Sequence, residues 1–352
     1  MNDAVIDANP SPKTSEREQE QEQMPQRPAV WRERLAPYAT PCLWRSGRDL
    51  ITSVVAYLAV STAMVLAYHH VGIWLTLVLA PVSAGFLLRT YIIFHDCTHG
   101  SFMPSRLANI WLGTALGVIV LTPFVRWRHD HAIHHNTAGD LDKRGVGDVP
   151  LLTVEEYRAR SPRQRMEYRL FRNPLVMFSL GPVIAMIIGP RLISRDASPR
   201  MRRSVLLTDA ALAVIFGLLG WWIGPVALVL AWTPAALLAG AAGVWLFYVQ
   251  HNFEGAYYQR TEGWGYADAA LQGSSFLKLP WLLQFATGNI GFHHVHHLNV
   301  RIPNYNLQRA HEENSVFQSV PVLTMLDGIR AVRLKLWDEQ RGRMVTFAEA
   351  NV

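Results

Sequence analysis

Apolar residues run through this chain in blocks rather than in alternation. Residues 50–68 and 73–94 carry almost no charge, and three further blocks follow at 174–193, 205–223 and 226–249. A bilayer core of about 30 Å takes about 20 helical residues to cross, so blocks of this length predict membrane-spanning helices. A sixth block, 107–124, is only moderately apolar and is interrupted by glycines and Pro123. The turns within the first and last pairs of blocks, His69-His70-Val71-Gly72 and Gly224-Pro225, contain no Lys or Arg. The pattern predicts an all-α integral membrane protein.

Composition adds the boundaries. Residues 3–27 are rich in Glu, Gln, Ser and Pro, with too little apolar surface to offset the entropy of ordering. They also lack the basic start and apolar run of a signal peptide. The expected organisation is a disordered cytoplasmic tail over 1–29, one membrane domain over 30–335 and a C-terminal tail over 336–352. Half of the 352 residues are apolar and 17% are charged, with a formal net charge of +6. Two cysteines, Cys42 and Cys97, leave no disulfide framework and no Cys-ligated iron–sulfur site. No repeat of fixed period is visible.

The candidate chemistry lies in histidine. Of fourteen histidines, all but His69, His70, His251 and His311 fall in or beside three short stretches: His95 to His99, His129 to His135, and His293 to His297. Neutral imidazole is the commonest metal ligand. On a helix, His95 and His99 stand one turn apart on one face, and His131, His134 and His135 combine i+3 and i+4 spacings, as do His293, His296 and His297. Eight imidazoles exceed what one four-coordinate metal uses, so two metal ions are the economical reading. No Glu is followed three positions on by His, which removes the soluble di-iron carboxylate pattern. A metal transporter with a histidine-lined path is the reading from another class, although the spanning blocks are nearly free of polar residues.

A single site requires all three clusters on one side of the membrane. Arg45, Arg48 and Arg89 flank the first two blocks on the end away from their turn, so the positive-inside rule places that turn outside and the first cluster on the cytoplasmic side. Parity then makes 107–124 an interfacial or re-entrant helix. Between His135 and His251 one of three blocks must not span, and 174–193 is the best candidate. It contains Gly181-Pro182 and Gly189-Pro190, and spanning would place the basic residues Arg195, Arg200, Arg202 and Arg203 outside. The expected fold is four transmembrane helices in two hairpins plus interfacial helices, with a cytoplasmic histidine-rich di-metal site.

The motifs His95-x3-His99, His131-x2-His134-His135 and His293-x2-His296-His297 closely resemble the three histidine boxes of the membrane fatty acid desaturases, the bacterial acyl-lipid type in particular. The likeness extends to 136–148 and 288–307 and covers about residues 85 to 315. In that family a further histidine follows the last spanning helix, and His251 in Gln250-His-Asn-Phe-Glu254 matches it. The resemblance implies metal ligation by His95, His99, His131, His134, His135, His251, His293, His296 and His297. It implies two irons, with O2 as co-substrate, where imidazole ligation alone admits zinc or copper as well. It further implies a fatty acyl lipid substrate and an external electron donor of the ferredoxin or cytochrome b5 type, since the chain has no haem, flavin or Cys-cluster motif. A bacterial inner membrane location follows from the same likeness, and no nucleic-acid partner is expected. Thr98 departs from the Gly often found in related boxes, and His129 stands where a non-ligand is usual.

Around the ligands, Asp96, Asp130, Asn252, Glu254 and Asn289 are candidates to orient the rings by proximity in sequence. His294 occupies an x position of its box, and His69, His70 and His311 are expected to be structural. Arg126, Arg128, Lys143, Arg144 and the arginines from 158 to 172 form a basic face that could meet an acidic donor or anionic headgroups. The competing enzymatic reading is hydroxylation or ketolation of a lipid, sterol or carotenoid, which shares the first hydrogen abstraction.

Overall fold

The long helices end where the histidines begin. In a computed structural model of the protein, residues 26–195 and 197–352 are described, and most of the expected N-terminal tail lies outside them. At its end, Gln26 bonds to Asp268 and to the Ala267 N–H. Helix α1 (Pro28–Arg34) then buries Trp31 in an apolar cluster with Val295 and Leu298.

Five helices among the described residues are long and apolar enough to cross a membrane. We number the main helices in chain order: α2 (Leu43–His70), α3 (Ile73–His99), α4 (Arg106–Ile119), α5 (Phe124–Thr137), α6 (Pro174–Arg191), α7 (Pro199–Ile223) and α8 (Pro225–His251). Helices α2 and α3 form a hairpin, with Thr76 donating to the Met64 carbonyl and Ser61 meeting Ser83. Helices α7 and α8 form a second one, in which Phe216 packs edge-on against Trp232. Gly224, at φ +89°, makes that turn, and Pro225 starts α8, where its missing N–H is one that no helix would have used. Helices α3 and α8 pack along each other, and both C-termini, His99 and His251, lie at the metal-site end. Gly100, at φ +69°, stops α3 in the left-handed conformation, so the first box occupies the helix's last turn.

Two further apolar segments pack beside these hairpins. Helix α4 runs back along the end of α3. A methyl on its Gly113 would stand 2.9 Å from Cys97 Cβ, and one on Gly117 would stand 3.3 Å from Phe94. The chain then bends by 102° into α5. Helix α6 has the length and composition of a span, but it breaks into a π turn over Val183–Ile188 and a 3-10 turn over Gly189–Arg191. Its Gly181 lies beside Val244, and its Pro182 and Met186 press on Gly240. These contacts lie in the half of α8 nearer His251. Arg191 bonds to the Leu121 carbonyl and to Asp209, before the chain returns to Pro199.

Over the metal-site end lies a cap of short elements. Its three-stranded sheet has the order β1 (Leu152–Thr153), β4 (Leu336–Asp338), β5 (Arg343–Val345); β1 pairs parallel and β5 antiparallel to β4. A second pair, β2 (Phe276–Leu277) and β3 (Val322–Leu323), is parallel. Residues 336–352, set apart on sequence as a tail, thus supply a hairpin whose Trp337 and Met344 pack with Leu141, Leu151 and Phe253. Its apolar residues alternate with charged ones too briefly to stand out from the polar background.

Candidate metal centre

The second and third histidine boxes each divide between two groups, while the first stays whole. Nine imidazoles from four segments converge so that His95, His99, His131, His135 and His296 form one group, and His134, His251, His293 and His297 form another. Within each group one ring nitrogen per residue lies within 4.8 Å of the others. The division follows from helix geometry. Residues i and i+4 are about 40° apart around the axis, whereas i+3 lies about 100° from i+4. The pairs His95/His99, His131/His135 and His293/His297 each stay together. The i+3 residues His134 and His296 fan across to the opposite group.

Close ring-nitrogen pairs include His131–His135 at 3.0 Å, His135–His296 at 3.1 Å, His95–His99 at 3.3 Å and His251–His293 at 3.0 Å. Two nitrogens sharing one ion at about 2.1 Å stand this far apart. His134 Nε2 and His297 Nε2 are buried with no hydrogen-bond partner among the described residues, an expensive state unless a Lewis acid satisfies them. All nine offer imidazole nitrogens, and no carboxylate or thiolate belongs to either group. The residues fit a pair of transition-metal ions. Burial first, and then the neighbouring imidazoles, hold His293, His296 and His297 well below the usual histidine range. They stay in the neutral, metal-binding form at neutral pH.

Three rings are oriented from behind. His134 Nδ1 lies 2.6 Å from Asp148 Oδ1, His95 Nδ1 lies 3.2 Å from Asp96 Oδ1, and His251 Nδ1 lies 3.1 Å from the Gly273 carbonyl. Burial pushes the Asp148 carboxyl up, but its hydrogen bond to His134 and the neighbouring imidazoles more than offset this and hold it below the usual range. Asp96 also accepts from the Asn304 N–H at 2.7 Å, tying the first box to helix Asn304–Glu313. Among the five orienting candidates named on sequence, only Asp96 touches a ligand ring. Asp130 pairs with Arg126, Glu254 with Arg343, Asn252 with Arg172, and Asn289 bonds to Gln284 and the Asn304 carbonyl. Asp148 was missed: it stands in a loop fourteen positions after His134, and no spacing rule connects it to a box.

The other histidines are elsewhere. His129 is exposed on α5. His294 turns away from the metals and meets His311 at 3.0 Å among Phe276, Phe292 and Phe317; burial lowers it to about 3. His69 bonds to the Ile223 carbonyl at the far end of the hairpins. A carboxylate behind a ligating imidazole raises its basicity and fixes its ring. Asp148→Asn keeps an acceptor but removes the charge, so metal affinity is expected to fall about 10-fold, as measured by competition with a chelator. Unchanged affinity would show that Asp148 does not act on the metal through His134.

A membrane-embedded helical bundle carrying nine convergent imidazoles is the frame of a metal-dependent integral membrane oxidoreductase. The family model for fatty acid desaturases matches residues 72–318. A fatty acid desaturase of Bacillus subtilis (strain 168) is 45% identical over 273 residues, spanning 78% of this chain and 78% of the relative. An sn-1 acyl-lipid omega-3 desaturase (ferredoxin) of Synechocystis is 26% identical, covering 63% of this chain and 62% of the relative. An sn-1 oleoyl-lipid 12-desaturase of Synechocystis is 25% identical, with 64% of each covered. The chain belongs to the fatty acid desaturase family, and it is an enzyme that desaturates fatty acyl chains.

Proposed function

We propose that the enzyme removes two hydrogens from adjacent carbons of a lipid-linked acyl chain at a di-iron site held by His95, His99, His131, His134, His135, His251, His293, His296 and His297. The observation that carries this reading is the division of nine imidazoles into two groups on one end of an apolar bundle. The balance is one saturated acyl segment, one O2, two electrons and two protons, giving one double bond and two waters. Bound iron would supply oxygen activation. The chain's part is to hold neutral imidazoles in place, through Asp148, Asp96 and the Gly273 carbonyl, and to keep the reacting carbons in an apolar setting. The two acyl-lipid desaturases of Synechocystis, one of them a ferredoxin enzyme, support an acyl-lipid substrate and ferredoxin as the donor, with a cytochrome b5-type carrier as the alternative.

Four spanning helices, α2, α3, α7 and α8, are supported by the shallow reach of α4 and α6 and by the common end shared by His99 and His251. With the uncharged turns outside, the site and the N-terminus face the cytoplasm, in a bacterial inner membrane. The domain reading is a tail over 1–29, a catalytic domain over 30–335 and a C-terminal segment over 336–352.

The test is mass spectrometry of membrane fatty acids from a host expressing the wild type. Products two mass units lighter than their precursors are expected, with about two irons per chain by elemental analysis. Addition of an oxygen atom instead would replace this reading with hydroxylation, and a site filled by zinc would remove the iron assignment.

A further inference from the structure

Each double bond requires two electrons, and they must cross from water to a buried metal pair. Part of the cover over that pair is α5 itself. His131, His134 and His135 are buried on one side, while Arg128, His129, Ala132 and Asn136 are exposed on the other. Only one helix, about 10 Å across with its side chains, separates the outside from the ligands.

That outer face is basic and continues onto the start of α7. The Val125 N–H donates to Ser204 Oγ, and Arg126 donates to the Leu192 carbonyl, which seats the exposed Arg200 and Arg203 beside α5. The nearby acid, Asp130, is paired with Arg126 at 2.7 Å. By contrast, much of the larger arginine group from 158 to 172 is anchored within the cap. Arg158 bonds to the Ala350 carbonyl and Arg169 to Val352 and Tyr157, Arg172 is fully buried, and the exposed Arg163 is already paired with Glu167 on its own helix.

We infer that the outer face of α5, with Arg128 and the neighbouring Arg200 and Arg203, is the docking surface for an acidic one-electron carrier protein. The inference rests on the desaturase reading above. Each docked carrier gives up one electron and leaves oxidised, so two dockings serve one double bond. Positive charge steers an acidic partner to this face, and the position on the helix bearing the second box gives it a short path to the ligands. An anionic lipid headgroup could meet the same arginines, but it would deliver no electrons, and Arg128 sits on the ligand helix itself.

The test uses the full-length enzyme in nanodiscs containing its acyl lipid, with a reduced acidic [2Fe–2S] ferredoxin as donor and dithionite with methyl viologen as the small-molecule comparator. Arg128→Ala and the double variant Arg200→Glu, Arg203→Glu are expected to raise KM for ferredoxin about 10-fold and to flatten its dependence on ionic strength. The viologen-driven rate and the metal content should stay at wild-type values. An unchanged ferredoxin KM would place docking elsewhere. A parallel fall in the viologen rate would mean damage to the site, and a loss restored by anionic phosphatidylglycerol would make the patch a headgroup contact. Absence of product from the wild type with both reductants would overturn the desaturase reading itself.

Discussion

His296→Ala is expected to lower product by more than about 100-fold and to empty much of the first metal group, whereas His294→Ala, two residues away, should keep its metal. Orienting groups behind a ligand are already worth about 10–100-fold in affinity or activity, and a ligand itself is worth more. His296 is the only member of the third box in the first group, where it meets His135 at 3.1 Å. Its loss removes the third box's contribution to the first group. His294 shares the short helix His293–Leu298 but points at His311, so its replacement disturbs packing around Phe276 and Phe317 rather than ligation. Gas chromatography of fatty acids and elemental analysis of the purified variants decide the matter. Equal metal loss in both variants would dissolve the distinction between ligand and neighbour, and full activity of His296→Ala would remove it from the site.

The candidate ligands stood out in the sequence because imidazole is rare and helical spacing is local. His95 and His99, or His131 and His135, need only 3.6 residues per turn to share a face. The division of the second and third boxes between two groups was not legible, because it depends on where the partner helices lie around the i+3 residue. Apolar length pointed to the two hairpins, since it is additive along the chain. What escaped was long-range and single-residue: Asp148 reaching His134 across a loop, the Gly273 carbonyl behind His251, and the Gln250 side chain donating to the Ile290 carbonyl. A polar residue in a loop carries no periodicity, so its partner shows only in three dimensions. The cap strands are two or three residues long, which is shorter than any alternation pattern can reveal.

Arg89→Met is expected to destabilise the protein by about 3–5 kcal/mol, because it strands a buried carboxylate. Asp49 is 2% exposed and Arg89 6% exposed, and their charged atoms meet at 2.8 Å. Arg89 also donates to the Phe285 carbonyl and lies 4.0 Å over the Phe285 ring. Phe285 closes the short helix Trp281–Ala286, and the chain then turns through Gly288 and Asn289, both at positive φ, into the third box. A methyl on Gly288 would stand 2.9 Å from Ile92, so this turn is pressed onto α3 between Arg89 and His95. Arg89 therefore connects the helix of the first box to the approach of the third. The double variant Arg89→Met, Asp49→Leu removes both charges and should recover most of the stability, since a buried pair replaced by apolar groups is often neutral. It cannot restore the donor to the Phe285 carbonyl. Thermal unfolding should thus return toward wild type while desaturation stays lowered. Recovery of both together would reduce Arg89 to a partner for Asp49 alone, and wild-type stability of Arg89→Met would show that the carboxylate does not depend on it.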